Sequence, residues 1–255
     1  MKQRVLLTVI FSLIVVAQGG GAYAFHPLIT DDTSTYPKGH WKAKVTGSYE
    51  HDDNESREIS ATKITPALVY GIADTMDIDV GQPYRFTRIE ANDRVSENDG
   101  IADTEIRLKW RFYDRDGLSF ALRPSLTLPT GDEKKGLGKG KATGALFLFA
   151  TRRMAPLAVH FNMGYERNEN KIDARVDLYH FSAAAEYEAV KGFSFVGEVG
   201  IDRNVDKSSN TPQVYTTVGV IYLPAKNIVL DLGLRVGLNE VAPDYAILPG
   251  IVIKF

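Results

Sequence analysis

Across residues 105–112 the chain reads Glu-Ile-Arg-Leu-Lys-Trp-Arg-Phe, with charged and apolar residues in strict alternation. Successive side chains of an extended strand point to opposite faces. Glu105, Arg107, Lys109 and Arg111 therefore share one face, and Ile106, Leu108, Trp110 and Phe112 the other. A helix would scatter the same charges, because residues two apart lie about 200° apart around its axis. Only a strand sorts this segment. The pattern recurs over residues 118–128, 157–166 and 228–238. Such runs exceed the usual five or six residues of a soluble sheet. They match the roughly 9–11 residues a tilted strand needs to cross a bilayer.

Strands are predicted near residues 40–50, 60–70, 75–87, 101–113, 118–128, 142–152, 157–167, 176–188, 193–203, 213–222, 227–238 and 245–255. The connections fall into two classes. Those at 71–74, 114–117, 154–156, 189–192 and 223–226 are tight and carry the Gly, Pro and Asp of turns. Those at 51–58, 88–100, 129–141, 168–175, 204–212 and 239–244 are longer and polar. Short and long alternate strictly, as they do in a barrel with both termini and the short turns in the periplasm. The expected fold is all-β: a transmembrane antiparallel β-barrel of twelve strands, up-and-down in topology, over residues 40–255.

Closing one sheet with its apolar face outward pairs every backbone group and puts that face against lipid. The polar face then lines the interior. The predicted lumen residues are Lys42, Lys44, Asp77, Asp79, Glu105, Arg107, Lys109, Arg111, Arg123, His160, Asn162, Glu166, His180, Glu186, Glu198, Asp202, Asp231 and Arg235. Charge pairs such as Glu105 with Arg107 and Lys109, or Asp231 with Arg235, would rigidify that interior. A constriction lined by both signs would instead set solute preference.

The first 24 residues read as a secretory signal, with Lys2 and Arg4 ahead of an apolar stretch and Ala22-Tyr23-Ala24 as a small-x-small cleavage site. Cleavage there would start the mature chain at Phe25, with residues 25–39 a periplasmic segment or a small plug. It would also leave 28 basic against 32 acidic residues, a mildly acidic balance that gives no reason to invoke nucleic acid. There is no cysteine, which excludes disulfides and thiol catalysis and weakens any zinc site. At the far end Tyr245, Ile247, Pro249, Ile251, Ile253 and Phe255 alternate to an aromatic terminus. That ending is similar to the terminal-strand signal read by outer-membrane assembly machinery, which makes Phe255 the expected contact.

The segments Pro27-Leu28-Ile29-Thr30-Asp31-Asp32-Thr33 and Lys38-Gly39-His40-Trp41 resemble the opening of the MetA-pathway of phenol degradation family. Leu128-Pro129-Thr130-Gly131-Asp132, the Gly/Lys-rich stretch 134–141 and His160-Phe161-Asn162-Met163-Gly164-Tyr165 extend the likeness over nearly all of the mature chain. The resemblance implies an outer-membrane barrel transporter of small, often aromatic or hydrophobic, compounds. None of its motifs is catalytic.

The leading expectation is therefore a passive channel in the cell outer membrane, not an enzyme, with lipid and lipopolysaccharide around it and a small solute inside. No cofactor and no metal are expected. His160 and His180 face inward on neighbouring strands but lack cysteine or paired carboxylate spacing around them. The Lys134–Lys141 stretch lacks the spacing of a phosphate loop. It is an external basic loop, either solvated or touching lipopolysaccharide phosphates. Two other classes stay open: a structural or adhesive barrel working through its loops, and a lipid-acting barrel enzyme. The enzyme would need a serine beside His160 and Asn162 on the lipid-facing rim, where neither is predicted to lie.

Overall fold

A computed structural model describes residues 26–54, 57–91 and 94–255. The expected signal sequence and cleavage site lie outside the described residues. Strands are β1 (Trp41–Asn54), β2 (Arg57–Ala73), β3 (Met76–Gly81), β4 (Tyr84–Ala91), β5 (Arg94–Ile101), β6 (Thr104–Arg115) and β7 (Leu118–Leu128). They continue as β8 (Thr143–Met154), β9 (Leu157–Arg167), β10 (Asp177–Val190), β11 (Phe193–Asp202), β12 (Gln213–Ala225), β13 (Ile228–Gly237) and β14 (Tyr245–Lys254). All pair antiparallel, and β1 bonds both β2 and β14, so the sheet closes on itself.

Fourteen segments make twelve staves. The segments β3 and β4 are one stave broken at Gln82-Pro83, where proline supplies no N–H to the ladder. Opposite the break, β5 and β6 are interrupted at Ala102-Asp103, and Ala102 N–H donates to Pro83 O at 2.8 Å.

The tight turn after β6 shows why these sequences turn where they do. Asp116 and Gly117 both have positive φ, 52° and 76°. Two successive left-handed residues form the turn whose twist matches the flanking strands, and Asp-Gly is a favoured pair for it.

Two predicted loops are corrected. Residues 88–91 and 94–100 are strand: β4 and β5 pair there, with Arg85 opposite Gly100 and Glu90 opposite Val95. Likewise β1 and β2 run on to Asn54 and Arg57. These extensions rise past the ends of β6 and β7, where no apolar face is needed, so polar residues on both sides hid the strands from an alternation test.

The faces sort as alternation requires. Leu146, Phe161, Met163, Phe181, Val199, Val218 and Leu232 are exposed on the outside. Buried positions alternate with them, among them Thr151, His160, Asn162, Ser182, Glu198, Thr217 and Asp231. The inside is less uniformly polar than expected. Phe149 is fully buried and points inward with Phe147, both rings lying under the Arg123 guanidinium at 4.8 and 5.0 Å. On the other side of the lumen Ala184, Val196, Ile221 and Val229 form an apolar patch covered by Leu28.

Candidate functional site in the barrel lumen

The segment ahead of β1 runs inside the barrel. Leu28, Thr30, Asp31, Asp32 and Thr33 are all buried, and their bonds go to strands on every side. His26 meets Asp231 on β13, and Pro27 sits over Gly219 and Gly233. Glu198 on β11 accepts from the backbone N–H of Ile29 and Thr30, at 3.0 and 2.8 Å, and from the Thr30 hydroxyl at 2.8 Å. The Thr30 hydroxyl oxygen also lies 2.8 Å from that of Ser182 on β10 and accepts from it. The Asn162 amide, oriented to suit its neighbours, bonds the backbone N–H and C=O of Asp31. Thr33 bonds Ser119 on β7 and Thr151 on β8. Tyr36 N–H donates to Asp77 on β3 at 2.7 Å, and Thr35 and Lys38 bond Asp74 in the short turn. The segment thus leaves the lumen at the short-turn end.

Electrostatics fix its middle. Asp31 lies 2.9 Å from Lys109 Nζ and 2.6 Å from Arg123 Nη1, and Asp32 lies 3.5 Å from Arg153. Burial works to raise the Asp31 carboxyl, but Lys109 and Arg123 outweigh it and hold the group below its ordinary value. Asp32, equally buried, is pushed up to about 7, because desolvation and the neighbouring Asp31 outweigh the attraction of Lys109 and Arg153.

The remaining predicted lumen residues sit on the inward side of their strands. Arg107 lies opposite Asp79 in the ladder, 3.4 Å from its carboxylate and 3.2 Å from Glu105, and Lys44 pairs with Asp79 from two staves away. Lys42 lies over the Tyr36 ring, and Arg111 pairs with Asp114. Glu166 holds Lys139 at 2.5 Å. His160 bonds Thr151, while His180 bonds Asp202 and Ser182, so the two imidazoles have separate partners. Glu186 is buried near the short-turn end. Two expected pairs do not form: Asp231 is taken by His26 instead of Arg235, and Lys109 by Asp31 instead of Glu105. Sequence reasoning allowed the segment before β1 as a small plug but missed that it supplies the counterions, because a strand pattern does not say which wall charges a threaded segment will meet.

At the loop end, Asp103 accepts from the N–H groups of Gly131 and Lys139, pinning the Gly/Lys-rich stretch. Lys171 N–H donates to Lys139 O, and Arg175 donates to the carbonyls of Asn204, Asp206, Lys207 and Ser209. Three external loops are knitted together by these bonds.

A family model described as "Putative MetA-pathway of phenol degradation" matches residues 19–255. The chain belongs to that family. Solved structures carry the family's barrel further. The COG4313 outer membrane channel from Pseudomonas putida F1 aligns with a TM-score of 0.72 at 14% identity, over 88% of this family member and 98% of that chain. The β domain of the Bordetella autotransporter BrkA aligns at 0.57 and 12% identity, over 85% and 99%. The NanC porin aligns at 0.56 and 8% identity, over 84% and 100%. At such identities the likeness is one of fold, that of outer-membrane barrels. No curated protein matches this phenol-degradation family member.

Proposed function

We propose that the chain is a passive outer-membrane channel for small solutes, with residues 26–36 forming its constriction. The observation that carries the reading is the inverted distribution of side chains. A wall that is apolar outside and ionic inside fits hydrocarbon around it and a hydrated path within. Channels and porins of the same fold support the reading, and the family's name points to aromatic compounds as cargo. Phe147, half-buried beside the Arg123 guanidinium, offers such a ring a flat surface within an otherwise polar lumen.

The reading assigns transport and no catalysis. It includes cleavage after Ala24, recognition of Phe255 by the assembly machinery, and lipopolysaccharide around the external loops. Intact-mass measurement on exported protein should show a chain starting at Phe25, and removing Phe255 should lower the amount assembled in cells. A second reading, adhesion through the loops, is favoured by one feature, the β4–β5 hairpin standing above the barrel.

Liposome swelling with purified barrel tests the channel. Deleting residues 26–36 should raise the swelling rate several-fold for small neutral solutes. If neither wild type nor deletion variant passes any solute once inserted, the proposal fails.

A further inference from the structure

Between the N-terminal segment and the loop end the lumen holds a feature that the constriction does not use. A cavity of about 120 Å³ lies between Ile29 and Pro243. Glu50 of β1, Asp202 of β11, Tyr215 of β12 and Arg235 of β13 line it. Asp202 is satisfied by His180 at 2.6 Å. Arg235 and Glu50 retain bonding capacity. Tyr215 is 4% exposed, and its hydroxyl, without a hydrogen-bond partner among the described residues, is itself buried and does not open into the cavity. Room for that hydroxyl is made by Gly200, where an added Cβ would come within 2.2 Å of it. Arg235 stacks over the Tyr215 ring at 5.0 Å and its Nε reaches Thr217 at 3.5 Å, but it pairs with no carboxylate among the described residues. Glu50 pairs with no cation among them.

Opposite charges that face one cavity without pairing suit a ligand that carries both signs. We propose that this cavity is a subsite for a small zwitterion of the α-amino-acid type. Its carboxylate takes the Arg235 fork, which matches carboxylate geometry. Its ammonium group faces Glu50. The size favours about six heavy atoms, since the volume is a little below the roughly 150 Å³ of an engineered cavity that accepts benzene. The proposal rests on the channel reading for delivery of the solute.

The test is calorimetric titration of the folded barrel in detergent with L-alanine, lactate and isopropylamine, which are zwitterion, anion and cation of similar size. Alanine should bind saturably, and lactate and isopropylamine at least tenfold more weakly. Arg235→Gln should lose alanine binding. If Arg235→Gln does not fold, Glu50→Gln is the second variant, expected to weaken alanine tenfold while leaving lactate unchanged. No saturable alanine binding by folded wild type, equal binding of the three probes, or binding indifferent to these substitutions would overturn the subsite. Swelling measured on the same preparations separates the two readings: swelling without alanine binding removes the subsite alone, and binding without swelling removes the channel alone.

Discussion

Asp31 places one carboxylate between Lys109 and Arg123 at the centre of the barrel, so two buried cations depend on a residue that belongs to no strand. Removing one member of a buried ionic group leaves the others unpaired, at about 3–5 kcal/mol. Asp31→Ala should release the segment by that amount, read as faster hydrogen exchange over residues 26–36. Asp32 gives a pH dependence of the opposite kind. Its carboxyl is raised from 3.8 to about 7 by burial, so the docked segment favours the protonated form. The Asp32 contribution to docking is therefore fully present below about pH 4 and is lost as pH rises through 7. Protease protection of residues 26–36 should fall between pH 5 and pH 8, and Asp32→Asn should flatten that part of the response. At this scale the sequence was only partly informative. The inward side of Lys109, Arg123 or Asp231 follows from parity along a strand; the partner each one finds does not, because pairing depends on what fills the lumen.

Turns and hairpins were legible where chemistry is specific. Asp116-Gly117 announces a turn with both residues left-handed, and the structure has φ of 52° and 76° there. Gly117→Ala puts a Cβ on a left-handed residue and within 2.8 Å of Arg153 O. The expected cost is about 1–2 kcal/mol, visible as a lower urea midpoint for unfolding in detergent. The β4–β5 hairpin was not legible. Alternation reports a boundary between lipid and lumen, and a strand pair standing in water has no such boundary to report. Phe147 and Phe149 defeated the pattern for a related reason: apolar on an inward face is permitted once Arg123 and the threaded segment cover them.

The entire barrel was the most legible level, because twelve staves and the rhythm of short and long connections repeat one rule many times. That rule makes the outer surface testable. Phe161 is exposed at mid-strand on the lipid side, and Phe161→Arg should destabilise the barrel by about 2–4 kcal/mol, measured by reversible unfolding in lipid vesicles. The same substitution would matter little on a water-facing sheet.

The seam of the cylinder joins Lys42 to Lys254, so β1 must find β14, more than 200 residues away along the chain. Loop-closure entropy and high contact order make that the slow encounter of assembly. The threaded segment bonds β13, β11 and β3, and so ties the walls on both sides of that seam to one another from within the closed ring.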